Sequence, residues 1–180
     1  CCKLGQILLQ ASFMDNNDVL RRIRYVFDFN DKKMIDIFAA ADTSVSRQQV
    51  SAWLKKEDDE GFEACIDEML ATFLNGLINN KRGKRDGDQP LPETRLTNNI
   101  VFMKLKIALN LKSDDILALL DKANFALSNH ELSALFRKFG HKHYRECKDQ
   151  VLRNFLNGLR IEHRKEALTS GEFAWKPLEL

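Results

Sequence analysis

The stretch Arg137-Lys138-Phe139-Gly140-His141-Lys142-His143-Tyr144-Arg145 sets cations between aromatic rings. Cations neutralise phosphates and rings stack on bases, so this spacing predicts a surface for phosphate contact and base stacking. Just upstream, a helix opening after Ser128 turns Asn129, His130, Ser133 and Arg137 outward. The corresponding face earlier in the chain carries Arg47, Gln48, Ser51 and Lys55. All eight side chains can hydrogen-bond to base edges or phosphates, and none is acidic. A second basic run, Lys81-Arg82-Gly83-Lys84-Arg85, lies between these two regions. The residues expected to meet nucleic acid are Asn129, His130, Arg137, Lys138, His141, Lys142 and Arg145, joined by Lys81, Arg82, Lys84 and Arg85. The plainer alternative is a solvated helix face, which every soluble helix needs.

Other chemistry is poorly supplied. His141-x-His143-x3-Cys147 offers three ligand types, but a closed zinc site needs four. The first half of the chain has Asp59 and Gly61 opposite the histidines, so no metal is expected. The sequence contains no P-loop, GxSxG, HExxH or glycine-rich dinucleotide turn. No catalytic residue and no cofactor are therefore assigned, and the chain reads as a non-enzyme. Of the four cysteines, Cys1, Cys2, Cys65 and Cys147, none forms a CxxC pair. They are too sparse for a disulfide scaffold, so reduced cytoplasmic thiols are expected. Free cysteine is among the most buried residue types, so Cys65 and Cys147 read as packing residues rather than as a bridge.

The elements that position these residues come from a globular chain. It has 180 residues, 28 Lys plus Arg and 26 Asp plus Glu, for a net charge of +2. That balance is weak for a dedicated nucleic-acid binder, so any contact must come from a local concentration of charge. No apolar stretch approaches the roughly 20 residues of a membrane span, and no membrane partner is expected.

An internal repeat organises the chain. Residues 16–77 align with 98–159 at a constant offset of 82, without gaps. Asn16-Asn17 meets Asn98-Asn99, Ser46 meets Ser128, Cys65-x-Asp67 meets Cys147-x-Asp149, and Phe73-Leu74-Asn75-Gly76-Leu77 meets Phe155-Leu156-Asn157-Gly158-Leu159. About a quarter of the positions are identical, which indicates tandem duplication. The chain divides into an N-terminal extension (1–13), a first helical repeat (14–80), a basic Gly/Pro linker (81–97), a second helical repeat (98–164) and a C-terminal tail (165–180). Met14 reads as a more natural start than Cys1.

Each repeat reads as four short helices, and the protein as all-α. The first opens after Asn16-Asn17 and turns Val19, Leu20, Ile23, Val26 and Phe27 to one face. The second follows Asp31, or Ser113, as N-cap and buries Met34, Ile35, Ile37 and Phe38. The third opens with a capping box, Ser46-x-x-Gln49 or Ser128-x-x-Glu131, and a staple, Val45 with Val50 or Leu127 with Leu132. The fourth follows Asp67 or Asp149 as caps. Helices two and three suggest a helix-turn-helix-like packing, with Ser44 at the usual place of the turn glycine and Ala126 its counterpart. Gly76 and Gly158 sit inside a helical pattern, where glycine costs about 1 kcal/mol against alanine, so a close approach or a helix end is expected there.

The pattern NNDVLRRIRY, then VSAWLKKEDDEGF with the following Cys65-x-Asp67 and FLNGL, then the KRGK linker, resembles the YehS-like bacterial proteins. The second copy, NNIVFMKLKIALNL through FLNGL, matches as well. The resemblance covers about residues 14–164. It implies a bacterial, cytoplasmic tandem-duplicated protein from a group of unknown function, and it supplies no activity to transfer.

Charge divides the two copies. Residues 16–77 hold eight Lys/Arg against twelve Asp/Glu, net −4, and residues 98–159 hold ten against six, net +4. The acidic run Glu57-Asp58-Asp59-Glu60 stands opposite Phe139-Gly140-His141-Lys142. It would repel phosphate, so a DNA or RNA partner should meet the second copy. The same asymmetry allows a different partner: the acidic copy could pair with the basic one, within one chain, between two chains or with another protein.

Overall fold

The computed structural model describes residues 14–164, and the assigned extension 1–13 and tail 165–180 lie outside the described residues. Eight helices occur among the described residues, with no strand. They are α1 (Asn16–Phe27), α2 (Asp31–Ala40), α3 (Arg47–Leu54), α4 (Asp67–Arg82), α5 (Asn98–Ala108), α6 (Ser113–Lys122), α7 (Asn129–Leu135) and α8 (Asp149–His163). The all-α fold and its two four-helix repeats are as the sequence predicts.

Local sequence sets most helix starts. Ser46 and Ser128 each accept the N–H of the residue three ahead at 3.1 Å, and Gln49 and Glu131 return the bond to the cap N–H. Both capping boxes are therefore formed. These bonds hold the Glu131 carboxyl below its usual range. The other three helix starts of each repeat differ from expectation. The first helix of each repeat starts at Asn16 and Asn98, capped by Asp15 and Thr97. Helix two is capped from Asn30 and Lys112, one residue before the expected Asp31 and Ser113. Asn30 receives the Lys33 N–H, while Asp115 reaches back to the Lys112 N–H at 2.8 Å. Helix four begins after Ile66 and Lys148 with no side-chain cap, because Asp67 and Asp149 are committed elsewhere.

Among the described residues, four non-glycine residues adopt the left-handed conformation, and they form two pairs at the repeat offset: Asp28 with Asn110, and Asp42 with Asn124. Asp and Asn tolerate this region better than other non-glycine residues. The turn between helices two and three thus reverses at Asp42 and Asn124, not at the expected Ser44 and Ala126. Helix α4 runs through Lys81 and Arg82, so the irregular connection spans residues 83–97.

Within each repeat, helix two packs on helix four. Both expected helix-four glycines mark the crossing. A Cβ on Gly76 would sit 1.9 Å from the Ile37 carbonyl oxygen, and one on Gly158 would sit 2.0 Å from that of Leu119. Close approach, not a helix end, explains both. The cores are complementary variants of one design. In the first repeat Phe38 packs on Phe73 at 5.3 Å and on Trp53 at 5.5 Å. In the second, helix six offers Leu120 at the Phe38 position, and Phe102 of α5 fills the space instead, 4.5 Å from Phe155. One large ring faces the conserved-position phenylalanine in each copy, so core volume is kept by exchange.

The two repeats join reciprocally. Helix α1 packs on α8 and α5 packs on α4, so the first helix of each repeat rests on the fourth helix of the other. Asp67 accepts Asn16 Nδ2 at 2.7 Å with one oxygen and the Leu96 N–H at 2.8 Å with the other. Asp149 accepts Asn98 Nδ2 at 2.6 Å and the Met14 N–H at 3.1 Å. Each carboxylate thus ties its own repeat to the chain entering its neighbour, which gives the molecule a pseudo-twofold axis. Arg164 reinforces the α8–α1 side by donating to the Tyr25 carbonyl at 2.7 Å and to Asp28 at 3.0 Å.

Candidate nucleic-acid interface

The basic segment forms a closed loop between α7 and α8. Its ends are drawn together by one buried amide. Asn99, on α5, donates to the Leu135 carbonyl at 2.9 Å where the loop opens. It donates to the Arg145 carbonyl at 2.7 Å where the loop closes, and it accepts the Cys147 N–H at 2.9 Å. Both amide hydrogens and the oxygen are satisfied, as burial of an amide requires. A backbone bond from the Arg145 N–H to the Ala134 carbonyl at 3.1 Å completes the closure. Compact loops with adjacent ends are a common carrier of function.

Two turns shape the tip. The His141 N–H donates to the Lys138 carbonyl at 3.0 Å, and the Tyr144 N–H to the His141 carbonyl at 2.8 Å. The first turn needs a left-handed third residue, and Gly140 supplies it with φ 86°. Phe139 is thereby carried to the apex, 84% exposed. Its ring stands edge-on to half-buried Tyr144, with centroids 5.4 Å apart at 79°. His141 and His143 lie 5.6 Å apart, and His141 Nδ1 accepts the His143 N–H.

Arg137, Lys138, His141, Lys142 and Arg145 are all exposed, as are Asn129 and His130 on α7. Among the described residues, Arg137, Lys138, Lys142 and Arg145 take part in no ion pair. Their neighbour Lys148 is paired with Glu146 at 2.7 Å, and Arg47 of the first-repeat face is held by Asp31 at 2.9 Å.

The structure does not gather the second basic run into this site. Lys81, in the last turn of α4, lies over the Phe27 ring at 5.1 Å, and Lys84 pairs with Asp42. Both partners belong to the first repeat. Arg82 and Arg85 are exposed. No hydrogen bond, ion pair or ring contact among the described residues links Lys81, Arg82, Lys84 or Arg85 to the 136–146 loop.

The equivalent first-repeat loop has the same clamp with opposite charge. Asn17 donates to the Trp53 and Glu63 carbonyls at 2.8 and 2.9 Å and accepts the Cys65 N–H at 3.0 Å. Glu57, Asp58, Asp59 and Glu60 are exposed on it. No ion pair among the described residues joins this acidic run to the basic loop, and the repeats meet instead through their first and fourth helices. The clamp asparagines had no assigned role in the sequence reading. The signal was present in their recurrence at the repeat offset.

Among the described residues no group of three His, Cys, Asp or Glu side chains is arranged to hold a metal ion. Cys65 and Cys147 are free and buried. Burial, aided by Asp67 and Asp149 respectively, pushes each thiol up to about 12. Thiolate is the nucleophile and the ligand, so these groups are inert near neutrality. No helix among the described residues is long and apolar enough to cross a membrane.

Comparison with known proteins finds the duplication independently. The family model described as protein of unknown function (DUF1456) matches residues 16–83 and again 98–165. The uncharacterized protein YehS of Escherichia coli (strain K12) is 48% identical over 147 residues, covering 81% of this chain and 94% of that protein. No solved structure matches.

Proposed function

The chain belongs to the DUF1456 family of proteins of unknown function, and we propose that it is a non-enzymatic, cytoplasmic nucleic-acid-binding protein whose contact is the closed basic loop of the second repeat. One observation carries this reading. Arg137, Lys138, Lys142 and Arg145 surround an exposed aromatic apex with no carboxylate partner among the described residues, whereas the exposed cations Lys32, Arg47, Lys84, Lys122 and Lys148 are each paired with one. Unpaired cations on a loop of fixed shape are ready to neutralise phosphates, and counterion release supplies the affinity. The residues assigned to contact are Arg137, Lys138, His141, Lys142 and Arg145 on the loop and Asn129 and His130 on the adjacent helix. On this reading the loop's role is to hold a polyanion.

The test is fluorescence anisotropy of the purified protein with labelled duplex DNA and single-stranded RNA, at roughly 50 and 200 mM salt. A protein that neutralises several phosphates loses affinity steeply across that range. Absence of binding to every polymer at the lower salt refutes the reading.

A second reading follows from the acidic loop. It has the same clamp and is exposed, so the acidic loop of one molecule can meet the basic loop of another. Such pairing closes into a two-fold dimer where both loops of each molecule engage the same partner, and otherwise extends into chains or rings. Sedimentation at low and high salt distinguishes the two, since this pairing gives concentration-dependent assembly without nucleic acid.

A further inference from the structure

Resting on the nucleic-acid reading, we infer that the loop takes single-stranded nucleic acid, with Phe139 stacking on an unpaired base. The inference comes from the apex, not from the charges. Cations alone would serve a duplex as well as a single strand, because both present phosphates. Phe139 favours the single strand, because insertion into a duplex must first unstack a base step at a cost of a few kcal/mol. In an undistorted duplex the base faces are buried in the stack and closed to an exposed ring. An unpaired base has a free face, and every base has one.

The local construction favours the ring as a contact group. Gly140, with φ 86°, turns the chain so that Phe139 projects while its backbone stays tied at Lys138 and His141. Tyr144 meets Phe139 edge-on at 5.4 Å, which braces the ring and leaves it 84% exposed. Lys138 and Lys142 flank the apex, where phosphates on either side of a stacked base would lie. His141 and His143 add two more rings within the same turn. Helical readout of a duplex is poorly served by comparison. Helix α7 has only seven residues, and its exposed residues before the loop, Asn129, His130, Glu131 and Ser133, include a carboxylate that would repel phosphate.

The experiment compares oligo-deoxythymidine, oligo-uridine and a mixed-sequence duplex of equal length, by anisotropy, with the wild-type chain, Phe139→Ala and Phe139→Leu. Phe139 is exposed, so both variants should fold as the wild type does, which thermal melting verifies. The expected result is tighter binding of both single strands than of the duplex. Each variant should lose roughly tenfold in single-strand affinity, the scale of one base–aromatic stack. Duplex affinity and salt dependence should be unchanged, because no cation is removed. Leucine keeps apolar bulk without a π face, so its failure to rescue identifies stacking. Single-strand binding that is equal in all three proteins, or that leucine restores, overturns the stacking role while leaving the nucleic-acid reading standing. Duplex bound as tightly as single strand overturns the preference. No binding to any of the three polymers overturns both readings together.

Discussion

Asn99 donates to the Arg145 carbonyl at 2.7 Å, and through that bond a buried residue of α5 closes the basic loop 46 positions away. The same side chain holds Leu135 at the loop's entry and Cys147 at its exit. The loop's shape is therefore set from the core, and its surface is left free for charge.

Replacing Asn99 by alanine leaves two carbonyls and one N–H without their partner. The expected cost is about 2–3 kcal/mol. For a chain of this size that lowers Tm by roughly 4–12 °C. Amide hydrogen exchange should rise most at Arg145 and Cys147. Asn17→Ala should do the same to the first-repeat loop, with exchange rising at Cys65, and leave the basic loop protected. Equal protection of both loops in both variants would show that the clamps are not what closes them.

Gly76→Ala and Gly158→Ala should destabilise, although alanine is the better helix former by about 1 kcal/mol. The added Cβ meets a backbone carbonyl at 1.9 or 2.0 Å, and a backbone has no rotamer to yield. Overpacking of this kind costs about 1–3 kcal/mol or more. Urea denaturation measures it, and a gain in stability would contradict the helix crossing.

The interface carboxylates give a third expectation. Asp149→Asn replaces an acceptor with a donor facing either Asn98 Nδ2 or the Met14 N–H, and Asp67→Asn does so at Asn16 and Leu96. Each should cost about 1–3 kcal/mol. Because the two carboxylates tie the repeats together reciprocally, the wild-type chain should melt in a single calorimetric transition. Two separate transitions in the wild type would contradict the shared interface.

Alkaline pH should weaken the fold. Cys65 and Cys147 ionise near 9 in an unfolded chain and near 12 when buried, so the native state keeps its protons longer. Between those values the unfolded state binds fewer protons, and stability falls as pH rises, by about 1.4 kcal/mol per pH unit for each thiol. Denaturation midpoints from pH 8 to 11 measure the slope. Cys65→Ala with Cys147→Ala should flatten it, and an unchanged slope would remove the thiols as its source.

Much of this was legible in the sequence where the determinants are local. The capping boxes at Ser46 and Ser128 depend on residues three apart, and both form as read. Asp67 and Asp149 look like caps by the same local rule, yet their partners are Leu96 and Met14 in the chain leading to the other repeat, which no local rule reaches. Asn17 and Asn99 were visible only as recurring letters, since their partners lie 36 to 48 residues away. Within the site, the exposed cations of residues 137–145 followed from their density. The separation of Lys81 and Lys84 did not, because it depends on where Phe27 and Asp42 fold.

The central claim is that the second-repeat loop binds nucleic acid through its unpaired cations. The most direct measurement is the salt dependence of oligo-uridine binding by the wild type and by Arg137→Ala/Lys138→Ala/Lys142→Ala, from about 50 to 200 mM. Each lost phosphate contact should lower the slope of log affinity against log salt by about 0.7 on a single strand. The account predicts weaker binding at low salt and a slope shallower by about two for the triple variant. Wild-type and variant proteins that bind with the same affinity and the same slope would contradict it.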